Sequence, residues 1–399
     1  MVYEVGKTWA EADGDTAEAI DFLEFYAREA LRYARKQPIS PTPGEDNELV
    51  YIPLGVGVII PPWNFPLAIL AGMTTAALVT GNTVVLKCAS DSPGIATMFV
   101  DLMKEVGLPG GVLQFCPGAG SEVGNTLVES PLTRFITFTG SAEVGKGIYE
   151  KAGKTGEGQM WLKRVVAEMG GKDFMFVDED GDVDKAVLGT HAAAFGYQGQ
   201  KCSACSRLIL HEKIHDEFME KFLPLVEATT MGHPDNINNF MGAMINEKAL
   251  NGALAGIEAA KKEGNTLVAG GEKGEGEGWY LKPTVFTGVG RKDTIFQEEL
   301  FAPVLTVTKV SSYEEGVEAA NDTAFGLTGA YYSSDESKIE RAKRDLHCGN
   351  LYLNRKCTGA LVGVHPFGGF NLSGTDSKAG GRDYLLLFLQ GKSITRATK

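Results

Sequence analysis

The chain of 399 residues lacks a hydrophobic run of membrane-spanning length: its longest apolar region, residues 66–79, is short and diluted by threonine, glycine and alanine. It lacks positive charge, with 38 Lys and Arg against 51 Asp and Glu and a net charge of -13. No basic stretch offsets that deficit, so nucleic acids and anionic membranes are excluded as partners. No charged-then-apolar leader opens the sequence, and none is expected to direct it to secretion. Cysteine is sparse: Cys88, Cys116, Cys202, Cys205, Cys348 and Cys357 follow no regular spacing. They make no disulfide framework and point to a reducing, cytoplasmic setting. A second C-x-x-C is missing and the six histidines are scattered, so no metal site is expected. The G-x-G-x-x-G dinucleotide fingerprint, internal repeats and low-complexity tracts are also absent.

What is present is ordinary in bulk and distinctive in order. Hydrophobic residues at 43% and charged residues at 22% describe a globular chain, and its length implies two or more domains. The 50 glycines fall mostly in pairs at the ends of apolar runs, as tight strand–helix turns require. Residues 1–35 read as two helices, the second carrying Ala17, Ile20, Phe22, Leu23, Tyr26 and Ala30 near helical spacing. Residues 45–60 read as two extended segments broken by Pro53 and Gly55. A βα rhythm follows, with strands at 82–87, 111–116, 134–138 and 164–167. Helices are expected from Ser92-Pro93 to 107, at 122–129 and at 143–151. The second half repeats the style, with strands at 174–177, 207–211 and up to 310, and at 349–354. Its helices are expected at 185–196, 215–228, 247–263 and 314–320. Strands alternating with helices define an α/β fold with parallel sheets covered on both faces, which bind ligands at the carboxyl ends of their strands. The acidic turn 178–182 reads as a hinge or boundary. The glycine-rich loop 359–382 is long enough to be functional. The apolar run near residue 384 suits an element added to a partner chain.

Several residues stand out chemically, each with a bland alternative. Cys202 lies in FGYQGQKCSACSR (195–207), beside Lys201 and among Gly196 and Gly199. An adjacent ammonium favours a thiolate, whereas an incidental cysteine is a small hydrophobe. Pro61, Pro62 and Pro66 stiffen a loop that holds Asn64 and Phe65, or merely connect two elements. Lys87 closes a strand, where an ammonium reaches an anion or only water. Gly140 and Ser141 open a helix, a usual phosphate site. Glu168 precedes Gly170-Gly171, and Glu299 belongs to an acidic pair before Phe301.

Taken together these motifs resemble the aldehyde dehydrogenase superfamily over nearly the whole chain. PWNFP at 62–66, the lysine strand end at 86–87, FTGS at 138–141, EMGGK at 168–172, GQKC at 199–202 and EELFAP at 298–303 occur in its order and at its separations. GQKCSACSR together with NRKCTGALVGVHPFGGFNLSGTDSKAGG (354–381) is similar to the branch that oxidises L-glutamate γ-semialdehyde to L-glutamate in proline catabolism. The resemblance implies a Rossmann-like NAD-binding domain formed by residues 1–34 and 54–169, lacking the family's earlier N-terminal segment. It implies a catalytic domain at 170–366, oligomerisation segments at 35–53 and 383–399, and a loop at 367–382 returning to the cofactor domain. Cys202 would be the nucleophile, Glu168 the general base and Asn64 an oxyanion donor. NAD would lie against Ile60, Pro61, Trp63, Lys87, Gly140, Ser141, Gly170, Glu299 and Phe301. The substrate would meet Phe65, Ser203, Gly359, Ala360 and Phe367. A homodimer or larger homo-oligomer is implied. Rival readings are a thiol–disulfide or zinc protein built on Cys202-x-x-Cys205, a silent remnant that only oligomerises, and a CoA-acylating or general aldehyde dehydrogenase.

Overall fold

A computed structural model describes residues 1–398, which divide into two compact units. One comprises Gly14–Glu168, Leu361–Phe367 and Ser377–Lys399; the other comprises Met1–Asp13, Met169–Ala360 and Gly368–Asp376. The N-terminal segment read as cofactor domain is therefore split, its first 13 residues belonging to the second unit.

The first unit contains strands β1 (Glu45–Pro53), β2 (Val56–Ile60), β3 (Thr83–Leu86), β4 (Leu113–Phe115), β5 (Phe135–Thr139) and β6 (Arg164–Glu168). The last five make one parallel sheet in the order β4-β3-β2-β5-β6. The chain runs outward from β2 to β4 and then returns to β5, so the topological switch lies between β2 and β5. Gly57 makes that pairing possible: a Cβ there would lie 1.9 Å from the ring of Phe135, its partner across the ladder. The apolar region 66–79 is a helix, Ala68–Val79, buried over residues 70–77 in the same core as Phe22, Tyr26 and Phe99. Asp15 accepts the Ala68 N–H at 2.6 Å, meeting a donor that the start of this helix leaves over.

The second unit holds β7 (Asp173–Val177), β8 (Cys205–His211), β9 (Thr266–Ala269), β10 (Thr284–Thr287), β11 (Val304–Val310), β12 (Phe325–Gly326), β13 (Thr328–Tyr332), β14 (Asn350–Leu353) and β15 (Phe370–Asn371). Seven of them form the sheet β14-β13-β7-β8-β11-β10-β9, parallel except where β9 opposes β10. β12 and β15 pair separately. Strands β9, β10 and β13 and the helix Glu336–Asp345 had no counterpart in the sequence reading.

Two expectations are overturned. The acidic turn 178–182 is internal to this unit and cross-links it. Asp180 accepts from Ser333, Ser334 and the Asp335 N–H, Lys338 bridges Asp178 and Glu179, and Asp182 caps the helix Val183–Phe195. The apolar run near residue 384 packs within its own chain. Leu385 and Phe388 are completely buried in the first unit's own core, and only then does β16 (Leu389–Ala397) run antiparallel along β1 through nine paired residues. Among the described residues, no helix is long and apolar enough to cross a membrane.

Candidate active site

In the first unit every singled-out residue up to Glu168 stands at a carboxyl strand end. Ile60 ends β2 and Pro61, Trp63, Asn64 and Phe65 follow it; Lys87 follows β3; Gly140 and Ser141 follow β5; Glu168 ends β6. These loops surround the switch between β2 and β5, where a doubly wound sheet leaves a crevice.

The residues there fit a dinucleotide. Lys87 is buried and makes no salt bridge among the described residues; burial pushes its pKa down, opposed by Cys88 and Asp91. A desolvated ammonium in that position calls for an anionic or hydroxyl-bearing ligand. Gly140 donates its N–H to the Glu168 carbonyl at 3.1 Å, and a Cβ on it would lie 2.6 Å from the Phe138 ring. A side chain at this position would collide with the Phe138 ring. Ser141 caps the 11-residue helix Ala142–Ala152 by accepting the Val144 N–H. The positive end of that helix dipole faces the same loop.

Asn64 is buried, held between prolines. Glu168 Oε1 accepts the Ser377 hydroxyl at 2.5 Å and the Ser377 N–H at 3.3 Å. Sequence reasoning missed Ser377, since a serine in a glycine-rich loop carries no signal until the loop returns beneath the carboxylate. Phe367, also in this unit, pairs with Ala379 through both backbone hydrogen bonds.

The second unit reverses the expected polarity. Gly170 precedes β7, Cys202 and Ser203 precede β8, and Glu299 and Phe301 precede β11. They sit at the amino ends of the strands, in turns that enter the sheet. The turn before Cys202 is the most constrained. Tyr197 and Gln198 both have left-handed backbones, φ 50° and 55°, followed by Gly199 at 65°. Consecutive non-glycine residues in that region persist only where the surroundings impose it. Here the Tyr197 hydroxyl donates to the Val5 carbonyl at 2.9 Å, and Gln198 bonds both the Ala243 carbonyl and the Gly242 N–H.

Cys202 is half-buried, and its carbonyl oxygen packs on Gly171, where a Cβ would lie 2.6 Å away. The adjacent Gly170 carries the Glu299 carboxylate, with 1.8 Å between Oε2 and a hypothetical Cβ, and the Gly171 N–H donates to Glu299 Oε1 at 3.0 Å. Two glycines thus bring the Cys202 backbone and Glu299 to one place. Desolvation pushes the Glu299 pKa up to about 7 against the Gly171 N–H and Lys172. Lys172 is pushed down to about 7 by burial and by Arg207. The Lys201 ammonium, beside Cys202 in sequence, pairs with Glu11 at 3.2 Å. Ser203 offers its carbonyl to the Cys357 thiol at 3.6 Å, and Gly359 and Ala360 lie just beyond in sequence. No cluster of three or more His, Cys, Asp or Glu side chains able to hold a metal occurs among the described residues.

The fold and these residues define an aldehyde dehydrogenase: the family model "Aldehyde dehydrogenase family" matches residues 1–394, and the chain belongs to that family. It is 52% identical over 395 residues to a 1-pyrroline-5-carboxylate dehydrogenase of Anoxybacillus flavithermus, covering 99% of this chain and 76% of the relative. The crystal structure of a 1-pyrroline-5-carboxylate dehydrogenase from Thermus with bound NAD superposes with a TM-score of 0.98 at 50% identity, over 100% of this chain and 77% of that one. A Staphylococcus aureus betaine aldehyde dehydrogenase in complex with NAD+ superposes at 0.93 with 30% identity, over 99% and 77%.

Proposed function

We propose that this protein oxidises L-glutamate γ-semialdehyde, the open form of Δ1-pyrroline-5-carboxylate, to L-glutamate with NAD+. The observation that carries the reading is Cys202 on an imposed left-handed turn, its backbone fixed against Gly171 and beside Glu299.

The Cys202 thiolate attacks the aldehyde carbon and the carbonyl oxygen becomes an oxyanion. The Asn64 amide and the Cys202 N–H stabilise that oxyanion; one such donor is worth about 3–4 kcal/mol of barrier. NAD+, when bound, supplies the hydride acceptor that turns the thiohemiacetal into a thioester. Lys87 and Glu299 bind and orient ribose hydroxyls, Gly140 and Ser141 receive the diphosphate, and Ile60, Pro61, Trp63, Gly170 and Phe301 wall the cofactor. Glu168 takes a proton from water, which attacks the thioester and releases the acid with regeneration of the thiol. Ser203 and the amides of Gly359 and Ala360 hold the substrate carboxylate, between Phe65 and Phe367.

A base in the Glu168 position favours hydrolysis over transfer to CoA. We also infer a cytoplasmic homodimer or larger homo-oligomer joined through the β1–β16 ribbon, along which Ile52 and Ile394 stay exposed. Sedimentation of the wild-type chain as a monomer would remove that part.

The test is NADH formation from Δ1-pyrroline-5-carboxylate. Cys202→Ala is expected to abolish turnover, and Glu168→Gln to retain a single burst with no steady state. Absence of NADH with the wild-type protein defeats the reading.

A further inference from the structure

Strand β14 ends in a turn whose backbone is turned by one arginine. Asn354, at φ 54°, swings the chain out of the sheet and is pinned by its side chain, which accepts the Ser333 N–H at 3.1 Å and donates to the Ser333 carbonyl at 2.9 Å. Arg355 then lies over the Tyr352 ring, its guanidinium carbon 4.5 Å from the centroid. From there Nη2 donates to the carbonyls of both Thr358 (2.9 Å) and Gly359 (3.0 Å). Gly359 has φ 83°, a backbone that lets two successive carbonyls face the same cation.

Peptide planarity gives this arrangement a consequence. The Thr358 carbonyl shares its peptide plane with the Gly359 N–H, and the Gly359 carbonyl shares its plane with the Ala360 N–H. In a trans peptide the N–H points opposite to the C=O. Two carbonyls drawn to Arg355 therefore send two neighbouring N–H groups away from it on one side. Neither amide makes a hydrogen bond among the described residues, and Gly359 is exposed. Paired, unspent backbone donors of this kind form an anion-binding concavity. The guanidinium behind them polarises both peptides and sharpens the donors.

We propose that Arg355 is the positioning residue that sets this enzyme's preference for carboxylate-bearing aldehydes: it touches no substrate, but aims and charges the Gly359 and Ala360 amides. This rests on the assignment of those amides as the carboxylate anchor. The surrounding field has the same sign. Lys356 is pushed down by burial and then by Lys201 and Arg355, with Glu11 as the nearby counter-charge on Lys201.

The test compares L-glutamate γ-semialdehyde with pentanal, a neutral aldehyde of the same chain length, in the wild type, Arg355→Met and Arg355→Lys. In Arg355→Met, KM for the semialdehyde is expected to rise at least about tenfold, the loss typical of a charge-assisted bond. KM for NAD+ and kcat/KM for pentanal should stay unchanged. Arg355→Lys, which keeps the charge and one donor over Tyr352, should recover part of the preference, and it carries the test if the methionine variant does not fold. An unchanged ratio of semialdehyde to pentanal efficiency in either variant overturns the role of Arg355. So does a parallel loss for both aldehydes and NAD+, the mark of general loosening. A wild type with no preference for the semialdehyde over pentanal defeats the anchor assignment itself, and the inference with it.

Discussion

The Ser377 hydroxyl donates to Glu168 Oε1 at 2.5 Å while the Ser377 N–H reaches the same oxygen at 3.3 Å. One residue thus supplies two donors to the proposed base from a loop more than two hundred positions away. A carboxylate held this way at Oε1 is confined to one rotamer. Ser377→Ala removes the stronger donor and frees the side chain to turn. A bond to an ionised group contributes about 1.5 kcal/mol or more, so steady-state turnover should fall about tenfold. The first NADH burst should survive, because thioester formation does not use Glu168. Loss of burst and steady state together would contradict a role confined to deacylation.

That contact also shows where sequence reasoning stops. Strands β2, β3, β5, β7 and β8 were legible because each is a short apolar run bounded by glycine, proline or charge. The tail was misread for a physical reason: Leu385 and Phe388 look alike whether they bury in their own core or in another chain. The place of the first unit's candidate residues was legible because the loops that follow parallel strands gather at their carboxyl ends. The second unit breaks that rule, and nothing in the letters around Cys202 says that Tyr197 and Gln198 take left-handed backbones. Lys201 adjoins Cys202 in sequence, and its pairing with Glu11, 190 positions away, is equally invisible there.

Glu299 gives the cofactor reading a pH signature. Its ordinary pKa of 4.5 is raised to about 7 by desolvation. Below pH 7 the side chain is mainly neutral; above it the carboxylate is the stronger acceptor for a ribose hydroxyl. KM for NAD+ should therefore fall as pH rises from 6 to 8, and Glu299→Gln should flatten the trend. Stability moves the other way. Between 4.5 and 7 the native state holds more protons at Glu299 than the unfolded chain, so this group's contribution is lost as pH rises through 7. Thermal unfolding of wild type against Glu299→Gln across that window reads the second sign independently of activity.

Substitutions at Gly170 and Gly171 should separate cofactor binding from catalysis one residue apart. An alanine at 170 collides with the end of the flexible Glu299 side chain, which moves aside. Gly170→Ala should raise KM for NAD+ with little change in melting temperature. An alanine at 171 meets the Cys202 carbonyl and Asp173, where backbone must yield. Gly171→Ala should lower kcat and the melting temperature together. Steady-state kinetics with thermal unfolding on the two variants distinguishes them, and equal effects would refute the division.

Arg207 is the buried support behind this arrangement. Its guanidinium is completely enclosed and donates to three carbonyls: Lys172 at 2.7 Å, Ala319 at 2.7 Å and Ala320 at 2.9 Å. The last two end the helix Tyr313–Asn321, whose carbonyl dipole favours a cation, and the ring of Phe296 lies 4.9 Å away. Burial pushes the Arg207 pKa down to about 10, which still leaves it charged at neutral pH. Arg207→Met fills similar volume but strands three acceptors in a dry interior. At about 1 kcal/mol or more for each, the loss is about 3 kcal/mol and the melting temperature should drop by several degrees. Arg207→Lys can satisfy one carbonyl, so it should fall between the two. Because Arg207 reaches the Lys172 carbonyl but neither Cys202 nor Glu299, kcat at low temperature should change only a few-fold. Thermal unfolding followed by circular dichroism, with turnover measured well below the transition, tests both halves. A methionine variant as stable as the wild type would mean that the three carbonyls find water instead.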